Sequence, residues 1–296
     1  MRKGIFVLMI LTAMVAKAQR NFDEVQIKVE KVAGNIYMLV GAGGNIGASI
    51  GDDGILIVDD QYAPLAPKIK EALRTISDKP VKFVLNTHYH GDHTGGNEVF
   101  GETAPIIAHT NVRRRLAAGS PGNNPPPAPK GALPVITFDE RLMVHLNGET
   151  IRAVHFPHGH TDGDAVIYFT QSNVVHMGDD YFAGRFPFID LDGGGSVKGL
   201  IAGIEKVLSE IKPDTKVIPG HGPLSTPADL RAWVTMLKDT SAIVQKGIKA
   251  GKKVDQLKKE KVLKKYDALS WQFISTDTFI ETLYKDATVA SQKHKH

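Results

Sequence analysis

The run His88-Tyr89-His90-Gly91-Asp92-His93 constrains this chain more than any other feature of its sequence. It directly follows residues 81–86, an apolar run typical of a buried strand. Side chains two residues apart in an extended segment point the same way, so His88 and His90 can face one point. A turn at Gly91 can bring Asp92 and His93 to an adjacent point. The run therefore predicts a metal centre at the end of a strand.

The composition limits which metals such a centre can hold. The chain has no cysteine, which excludes thiolate ligands, a Cys nucleophile and disulfide bonds. Imidazole and carboxylate ligands without thiolate suit zinc best, with iron and manganese as lesser alternatives.

Three later turns offer the ligands that the first run lacks. Each turn carries one candidate beside a glycine, and each follows a predicted strand: Gly159-His160-Thr161, Gly178-Asp179-Asp180 and Gly220-His221-Gly222. Glycine allows a sharp turn and leaves room beside a metal ion. One such turn alone is weak evidence, but three at strand ends together indicate that His160, Asp179 and His221 complete the site.

Hydrophobic periodicity predicts two similar halves of sheet and helix. Strands are predicted over 25–29, 35–40, 54–59, 81–86, 105–108, 142–146, 151–156, 165–169, 173–177 and 216–219. Helices are predicted over 64–76, from about 94, over 110–118 and 196–211, and over most of 227–290. Residues 119–134, rich in Pro, Gly and Asn, fit no regular element. The order predicts a layered α/β sandwich formed by one domain over residues 19–296.

The N-terminus has the pattern of a secretory signal peptide. Arg2 and Lys3 precede the apolar run 5–16, and Ala16-Lys17-Ala18 fits the small-x-small cleavage rule. Cleavage after residue 18 would leave a mature protein in the periplasm or medium; a buried strand or an uncleaved anchor are the alternatives. The net charge is +4, and loss of the three basic residues Arg2, Lys3 and Lys17 lowers it to +1. A nearly neutral chain argues against nucleic acid as a partner.

These motifs together resemble the metallo-β-lactamase superfamily. Thr87 to His93 matches its HxHxDH signature, the three glycine-bounded turns match its later motifs in order, and Asp59 matches its early strand-end Asp. The similarity covers roughly residues 29–222. It implies a four-layer αββα sandwich with two zinc ions at one edge of the sheets. It assigns His88, His90 and His160 to the first zinc, Asp92, His93 and His221 to the second, and Asp179 to both.

Departures from the family pattern narrow this resemblance. The cysteine-containing β-lactamases carry Cys where Asp179 stands, and Asp179 is more similar to the glyoxalase II, lactonase and phosphodiesterase branches. The redox di-iron branch carries Glu where His90 stands, so His90 favours zinc and hydrolysis. Export and the near-neutral charge argue against glyoxalase II and the RNA-processing branch.

We therefore expect an exported dinuclear zinc hydrolase that cleaves a small cyclic amide or ester, a β-lactam or a lactone. A metal-bound hydroxide would attack the carbonyl, and Asp92 would orient it while binding metal. The alternatives are hydrolysis of phosphate or sulfate esters, or a zinc-binding protein without catalysis. The expected partner is a small molecule, with no nucleic acid and no membrane after cleavage of the signal peptide. The sequence leaves the oligomeric state open.

Several residues near the motifs are candidates for roles other than metal binding. Asp59 either fixes the His run by hydrogen bonds or is a plain turn residue. Tyr89 and Tyr181 could steady an oxyanion, although packing is the safer interpretation. Residues expected to be turn, core or surface groups rather than ligands are His109, His145, His155, His158, Asp162, Asp164 and His176. We further expect an apolar substrate wall formed by Phe182, Phe186, Phe188 and the stretch 119–134.

Overall fold

The computed structural model describes residues 21–120 and 125–293. The predicted signal peptide, residues 1–18, lies outside the described residues, and so do residues 121–124 of the Pro-rich stretch. No helix among the described residues has both the length and the apolarity that a membrane span requires.

Twelve strands form in the described part of the chain. They are β1 (Lys28–Ala33), β2 (Ile36–Val40), β3 (Ile46–Gly51), β4 (Gly54–Val58), β5 (Val81–Leu85), β6 (Ile106–His109), β7 (Ile136–Phe138), β8 (Arg141–Leu146), β9 (Glu149–Phe156), β10 (Asp164–Phe169), β11 (Val174–His176) and β12 (Lys216–Ile218).

The same residues form eight α-helices. They are α1 (Ala66–Arg74), α2 (Gly91–Thr94), α3 (Asn97–Gly101), α4 (Thr110–Ala118), α5 (Val197–Glu210), α6 (Pro227–Lys249), α7 (Val254–Lys259) and α8 (Thr276–Lys293). Short 3₁₀ turns lie at Ala63–Leu65, Lys130–Ala132, Gly178–Asp180 and Lys264–Leu269. The long helix α6 starts with a capping box, in which Thr226 and Asp229 satisfy each other's backbone N–H groups.

The strands make two sheets with the orders β1-β2-β3-β4-β5-β6-β7 and β12-β11-β10-β9-β8. In the first sheet β1 to β4 pair antiparallel, and β4 to β7 pair parallel. In the second sheet only β11 and β12 pair parallel. Parallel strands end at one edge of a sheet, so the segments after β4 and β5 lie together, as do those after β11 and β12.

Three buried clusters show how the layers pack. One joins the inner faces of the two sheets, with Leu56 and Leu85 from the first and Ile151 and Ile167 from the second. A second packs α1 and α3 on the outer face of the first sheet, and a third packs α5, α6 and α8 on that of the second. This helix–sheet–sheet–helix order confirms the predicted αββα sandwich.

The structure differs from the prediction at several elements: some are displaced, and one strand was not predicted. The first strand starts at Lys28, because Val25 and Ile27 pack against the helical layer instead of joining the sheet. Strand β3 was not predicted, since Gly47, Ala48 and Ser49 hide its apolar pattern. A Cβ on Gly47 would lie 2.9 Å from the His176 ring, so this strand needs a small residue there. The helix expected from about 94 is two short helices, α2 and α3.

Candidate metal centre

The His run lies between β5 and α2 and reaches the edge where the two sheets meet. His88 and His93 are buried, whereas the side chain of His90 is 20% exposed. The backbone N–H of Ala165 donates to the Thr87 carbonyl at 2.8 Å, which ties the run to the hairpin carrying His160. Both sheets therefore hold the His run: it continues from β5 of the first sheet and is bonded to β10 of the second.

The structure brings the seven predicted ligands into two adjacent groups. In the first group His88, His90, His160 and Asp179 each offer one donor atom, all within 4.8 Å of one another. In the second group Asp92, His93 and His221 do the same. The six residues other than Asp179 lie in the groups to which the resemblance assigned them, and Asp179, assigned to both, lies with the first.

Asp179 stands between the two groups. Its Oδ1 lies 3.1 Å from His93 Nε2 and 3.4 Å from His221 Nε2. Its Oδ2 lies 3.8 Å from His88 Nε2 and 3.7 Å from His160 Nε2. One carboxylate oxygen therefore faces each group, as a bridging ligand requires.

The backbone leaves little freedom to Asp179. It follows β11 in a turn where Gly178 has a φ of +52°, and the Gly220 N–H donates to the Gly178 carbonyl at 2.7 Å. A Cβ on Gly220 would collide with Asp179 Oδ1, so only glycine fits there. The Asn45 amide holds the other side of the His221 turn through the carbonyls of Pro219 and Gly222, both at 2.9 Å.

Hydrogen bonds turn a lone pair of each buried imidazole toward the centre. His160 Nδ1 donates to the Phe188 carbonyl at 2.7 Å, His93 Nδ1 to Asp59 at 2.7 Å, and His88 Nδ1 to the Thr87 hydroxyl at 3.0 Å. A neutral imidazole that donates from one nitrogen has its lone pair on the other. Nε2 of all three rings is thus free to bind a cation.

The inward-facing atoms lack the partners that buried polar groups need. His88 Nε2 and Asp179 Oδ1 are buried without a hydrogen-bond partner among the described residues. His93 Nε2 lies 3.1 Å from Asp179 Oδ1, so a neutral His93 with its proton on Nδ1 would direct a lone pair at a carboxylate oxygen. Both observations call for cations between these groups. The donor set and its orientation fit divalent metal ions.

The pKa shifts of the ligand-type side chains agree with this fit. Burial lowers the pKa of His221, but Asp179 and Asp92 outweigh burial and raise that pKa to about 9. Burial also opposes ionisation of Asp179, yet His221 and His93 hold the pKa of its carboxyl well below its usual range. Protons on the imidazoles therefore supply the positive charge when no metal ion does.

Asp59 makes the supporting contacts that the sequence suggested. It is fully buried with a φ of +66°. Its Oδ1 accepts the Thr87 N–H at 2.7 Å, and its Oδ2 accepts both the Thr87 hydroxyl and His93 Nδ1 at 2.7 Å. The carboxylate thereby fixes both ends of the His run.

Asp190 is a supporting residue that the sequence analysis missed. Its Oδ2 accepts a hydrogen bond from His90 Nε2 at 3.0 Å and another from the Tyr89 hydroxyl. Its Oδ1 accepts the Gly193 N–H at 2.7 Å. Burial raises the pKa of Asp190, but the hydrogen bonds from His90, Tyr89 and Gly193 outweigh it and lower that pKa. The ionised carboxylate holds the His90 proton on Nε2 and leaves Nδ1 facing His160 Nε2 at 2.9 Å. An Asp followed by three glycines that start three residues later was the only signal in the sequence.

The two tyrosines do not face the centre as oxyanion donors. Tyr89 gives its hydroxyl to Asp190, and Arg115 packs 5.0 Å from the centre of its ring. Tyr181 is buried against Trp233 and donates to the Ser225 hydroxyl at 3.3 Å. Both residues support the structure, which is the packing role that the sequence analysis preferred.

The histidines and acids expected to be turn, core or surface groups, all of them among the described residues, stay outside the two groups. Asp162 pairs with Arg115 at 2.7 Å, and Asp164 accepts the Thr161 N–H in a turn at 2.7 Å. His109 and His155 stack with ring centres 3.7 Å apart. His158 and His176 lie against the backbone carbonyls of Gly194 and Asn45.

A cleft of about 1000 Å³ opens over the centre, and its lining includes His90, Asp92, Asp179 and His221. Phe182 and Phe188 line it, as predicted, and so does Pro125 of the Pro-rich stretch. The prediction for Phe186 was wrong, because its ring is fully buried and stacks on Phe279 in the helical layer. Trp271, Phe273 and Ile274 also line the cleft, and the sequence did not predict this part of the wall.

Comparison with known proteins agrees with this arrangement. Residues 32–221 match the family model described as "Metallo-beta-lactamase superfamily". A probable metallo-hydrolase, YqgX, of Bacillus subtilis is 30% identical over 183 residues, which are 57% of this chain and 83% of that protein. The alpha subunit of 2,4-dinitroanisole O-demethylase of Nocardioides sp. is 28% identical over 166 residues, 54% of this chain and 48% of the subunit. The chain therefore spans about half the length of that relative.

Among solved structures, a metallo-beta-lactamase from Pontibacter korlensis superposes with a TM-score of 0.60 at 19% identity. The match covers 72% of this chain and 99% of that one. At this identity the likeness concerns the fold.

Proposed function

The chain belongs to the metallo-β-lactamase superfamily, and on that premise we propose that it is an exported hydrolase which uses two zinc ions to cleave a small cyclic amide or ester. The observation that carries this proposal is the position of Asp179, with one carboxylate oxygen toward each group of ligand-type side chains. A mononuclear site would not need a carboxylate held between two sets of imidazoles.

Zinc is the metal that suits these donors best. The first ion would be held by His88, His90, His160 and Asp179, and the second by Asp92, His93, His221 and Asp179. When bound, zinc would lower the pKa of a water ligand to about 7 and polarise a carbonyl oxygen.

Among the described residues that line the cleft, Asp92 is the one best placed to move a proton. Its side chain is 27% exposed and lines the cleft, whereas Asp179 is buried. Its Oδ2 lies 3.3 Å from His221 Nε2, which fixes the carboxylate beside the second group. During attack of water on the carbonyl carbon, Asp92 can accept a water proton. As the C–N or C–O bond breaks, Asp92 can return that proton to the leaving atom.

The cleft favours a cyclic amide or ester over the alternatives. A phosphate or sulfate ester would favour a cleft lined by several cationic side chains. Among the described residues that line this cleft, Arg185 is the one Lys or Arg. A zinc-binding protein without catalysis would not need a cleft of about 1000 Å³ beside its metal ligands.

The test uses mature protein, residues 19–296, assayed with nitrocefin, a lactone and an aryl phosphate. We expect about two zinc ions per chain by elemental analysis, turnover of nitrocefin or the lactone, complete loss with EDTA and recovery with zinc. His90→Ala should lower both zinc content and kcat. The matched control is His145→Ala, since His145 belongs to neither ligand group.

Activity that persists in fully metal-free protein would contradict the mechanism. Turnover of the aryl phosphate alone would favour the phosphate-ester alternative. Export is tested separately, by expressing the full chain and reading the N-terminus of the protein from the periplasmic fraction, which should start at Gln19.

A further inference from the structure

Resting on that proposed function, we propose that the substrate is an amphipathic anion, in which a bulky aromatic group is joined to a carboxylate. The aromatic group would lie on the wall of Trp271, Phe273 and Phe188, and the carboxylate would bind Arg185. The scissile amide or ester would then lie over the two ligand groups.

The wall is an exposed aromatic surface placed inside a cleft. Phe273 is 56% exposed and Phe188 is 42% exposed. The rings of Trp271 and Phe273 lie 5.2 Å apart at 63°, and the Trp271 Nε1–H donates to the Phe186 carbonyl at 2.9 Å. Large aromatic side chains that remain exposed next to a candidate active site gain free energy when an apolar ligand covers them.

Arg185 supplies a cation at the rim of this wall. Its guanidinium carbon lies 5.2 Å from the centre of the Trp271 ring, and the residue is half-buried. Arg185 makes no ion pair with a carboxylate among residues 21–120 and 125–293. The aromatic face orients the guanidinium and leaves its N–H groups for a ligand, and a guanidinium binds a carboxylate through two parallel hydrogen bonds.

One small molecule can reach both Arg185 and the candidate metal centre. The rings of His221 and Trp271 have centres 6.4 Å apart, and Phe182 stacks on His221 with centres 5.2 Å apart. The separation between the His221 ring and the guanidinium cannot exceed the sum of the His221–Trp271 and Trp271–Arg185 distances. The cleft therefore places the centre, the wall and the cation along one path.

Most of the wall lies outside the part of the chain that matches the family, and Phe188 alone lies within it. The family match ends at residue 221, whereas Trp271, Phe273 and Ile274 lie in the connection before α8. That connection packs onto the matched fold, as the hydrogen bond from Trp271 to Phe186 shows. The segment after the shared fold thus shapes the specificity of this cleft.

The test measures binding, so it does not depend on turnover. Zinc-loaded wild-type protein is titrated by calorimetry with 1-naphthylacetate and with its neutral counterpart, 1-naphthylacetamide. We expect the carboxylate to bind about tenfold more tightly, as one charge-assisted contact provides. Arg185→Met should remove this preference. Trp271→Leu should weaken binding of both probes alike, because it removes apolar surface and keeps the cation. Arg141→Met is the matched control, since Arg141 does not line the cleft and should leave both affinities unchanged.

Equal affinities of wild type for the two probes would overturn the proposal. So would a carboxylate preference that survives in Arg185→Met, which would place the anion on the metal ions. Unchanged affinities in Trp271→Leu would refute the role of the wall. If the binding results hold while no cyclic amide or ester is turned over, the proposed reaction fails and the assignment of the binding site stands.

Discussion

The substitution Asp190→Asn tests how the structure orients His90. Asparagine keeps the size and shape of the side chain but removes its charge, and only one of its two terminal atoms can accept a hydrogen bond. Asp190 Oδ2 receives hydrogen bonds from both His90 Nε2 and Tyr89, and the Asp190 side chain is 15% exposed. The substitution therefore weakens the contact that leaves His90 Nδ1 free for metal.

We expect the loss of zinc affinity at one of the two ligand groups only. Loss of such a supporting hydrogen bond costs about 10- to 100-fold in metal affinity, or about 1.4 to 2.7 kcal/mol. We expect this loss for the group that contains His90, His88 and His160. The group of Asp92, His93 and His221 has no direct contact with Asp190 and should bind zinc nearly as in wild type.

The assay is a competition titration of metal-free protein with zinc and a chromophoric chelator, which resolves two dissociation constants. Asp192→Asn is the matched control, because Asp192 is two residues away, 88% exposed and paired with Lys285 on the surface. Tyr89→Phe should have a smaller effect than Asp190→Asn, since it retains the bond to His90. Wild-type zinc affinities in a folded Asp190→Asn protein would refute the reasoning, as would an equal weakening of both sites.

Three further predictions concern stability and the shape of the centre. Asp59→Asn should lower the free energy of unfolding of the metal-free protein by about 1–3 kcal/mol, because three buried hydrogen bonds converge on this carboxylate; urea unfolding measures it, and an unchanged midpoint would contradict it. Gly44→Ala should lower zinc content while the far-UV circular dichroism stays as in wild type, because the added Cβ would collide with the His93 imidazole; full zinc occupancy would argue against that collision. Burial, together with the stacked His155, lowers the pKa of His109 to about 4, so the unfolded chain binds this proton more readily than the folded one. The stability contributed by His109 should be complete above about pH 6.5 and decline as pH falls toward 4. His109→Gln should therefore make the urea midpoint less dependent on pH. An equal change of the urea midpoint with pH in both proteins would contradict this prediction.

The ligand groups and the fold could be predicted from the sequence, because the motifs and apolar runs that mark them are local. Four of the seven candidates stand within six residues, His88 to His93, and the others stand in turns marked by glycine. Each turn needs its glycine for a reason visible in the structure, as at Gly220, where a side chain would strike Asp179. Apolar runs gave most strands for the same reason, and β3 was missed because its small residues leave no hydrophobic pattern.

The supporting contacts could not be predicted from the sequence, because they join residues that are distant in the chain. Asp190 meets His90 across 100 residues, and no spacing rule predicts that partner. Tyr89 stands beside two ligands in the sequence, yet the fold directs its hydroxyl to Asp190 rather than to the centre.

The cleft shows most clearly what the sequence determined and what the tertiary structure decided. The sequence determined which residue types could bind metal, because imidazole and carboxylate chemistry belongs to the side chains themselves. The tertiary structure alone decided that Phe186 is buried in the helical layer while Trp271, far along the chain, lies beside His221. Side chains from separate elements form a cleft only after those elements pack, so its walls follow from the arrangement of α8, the connection before it and the sheet edge.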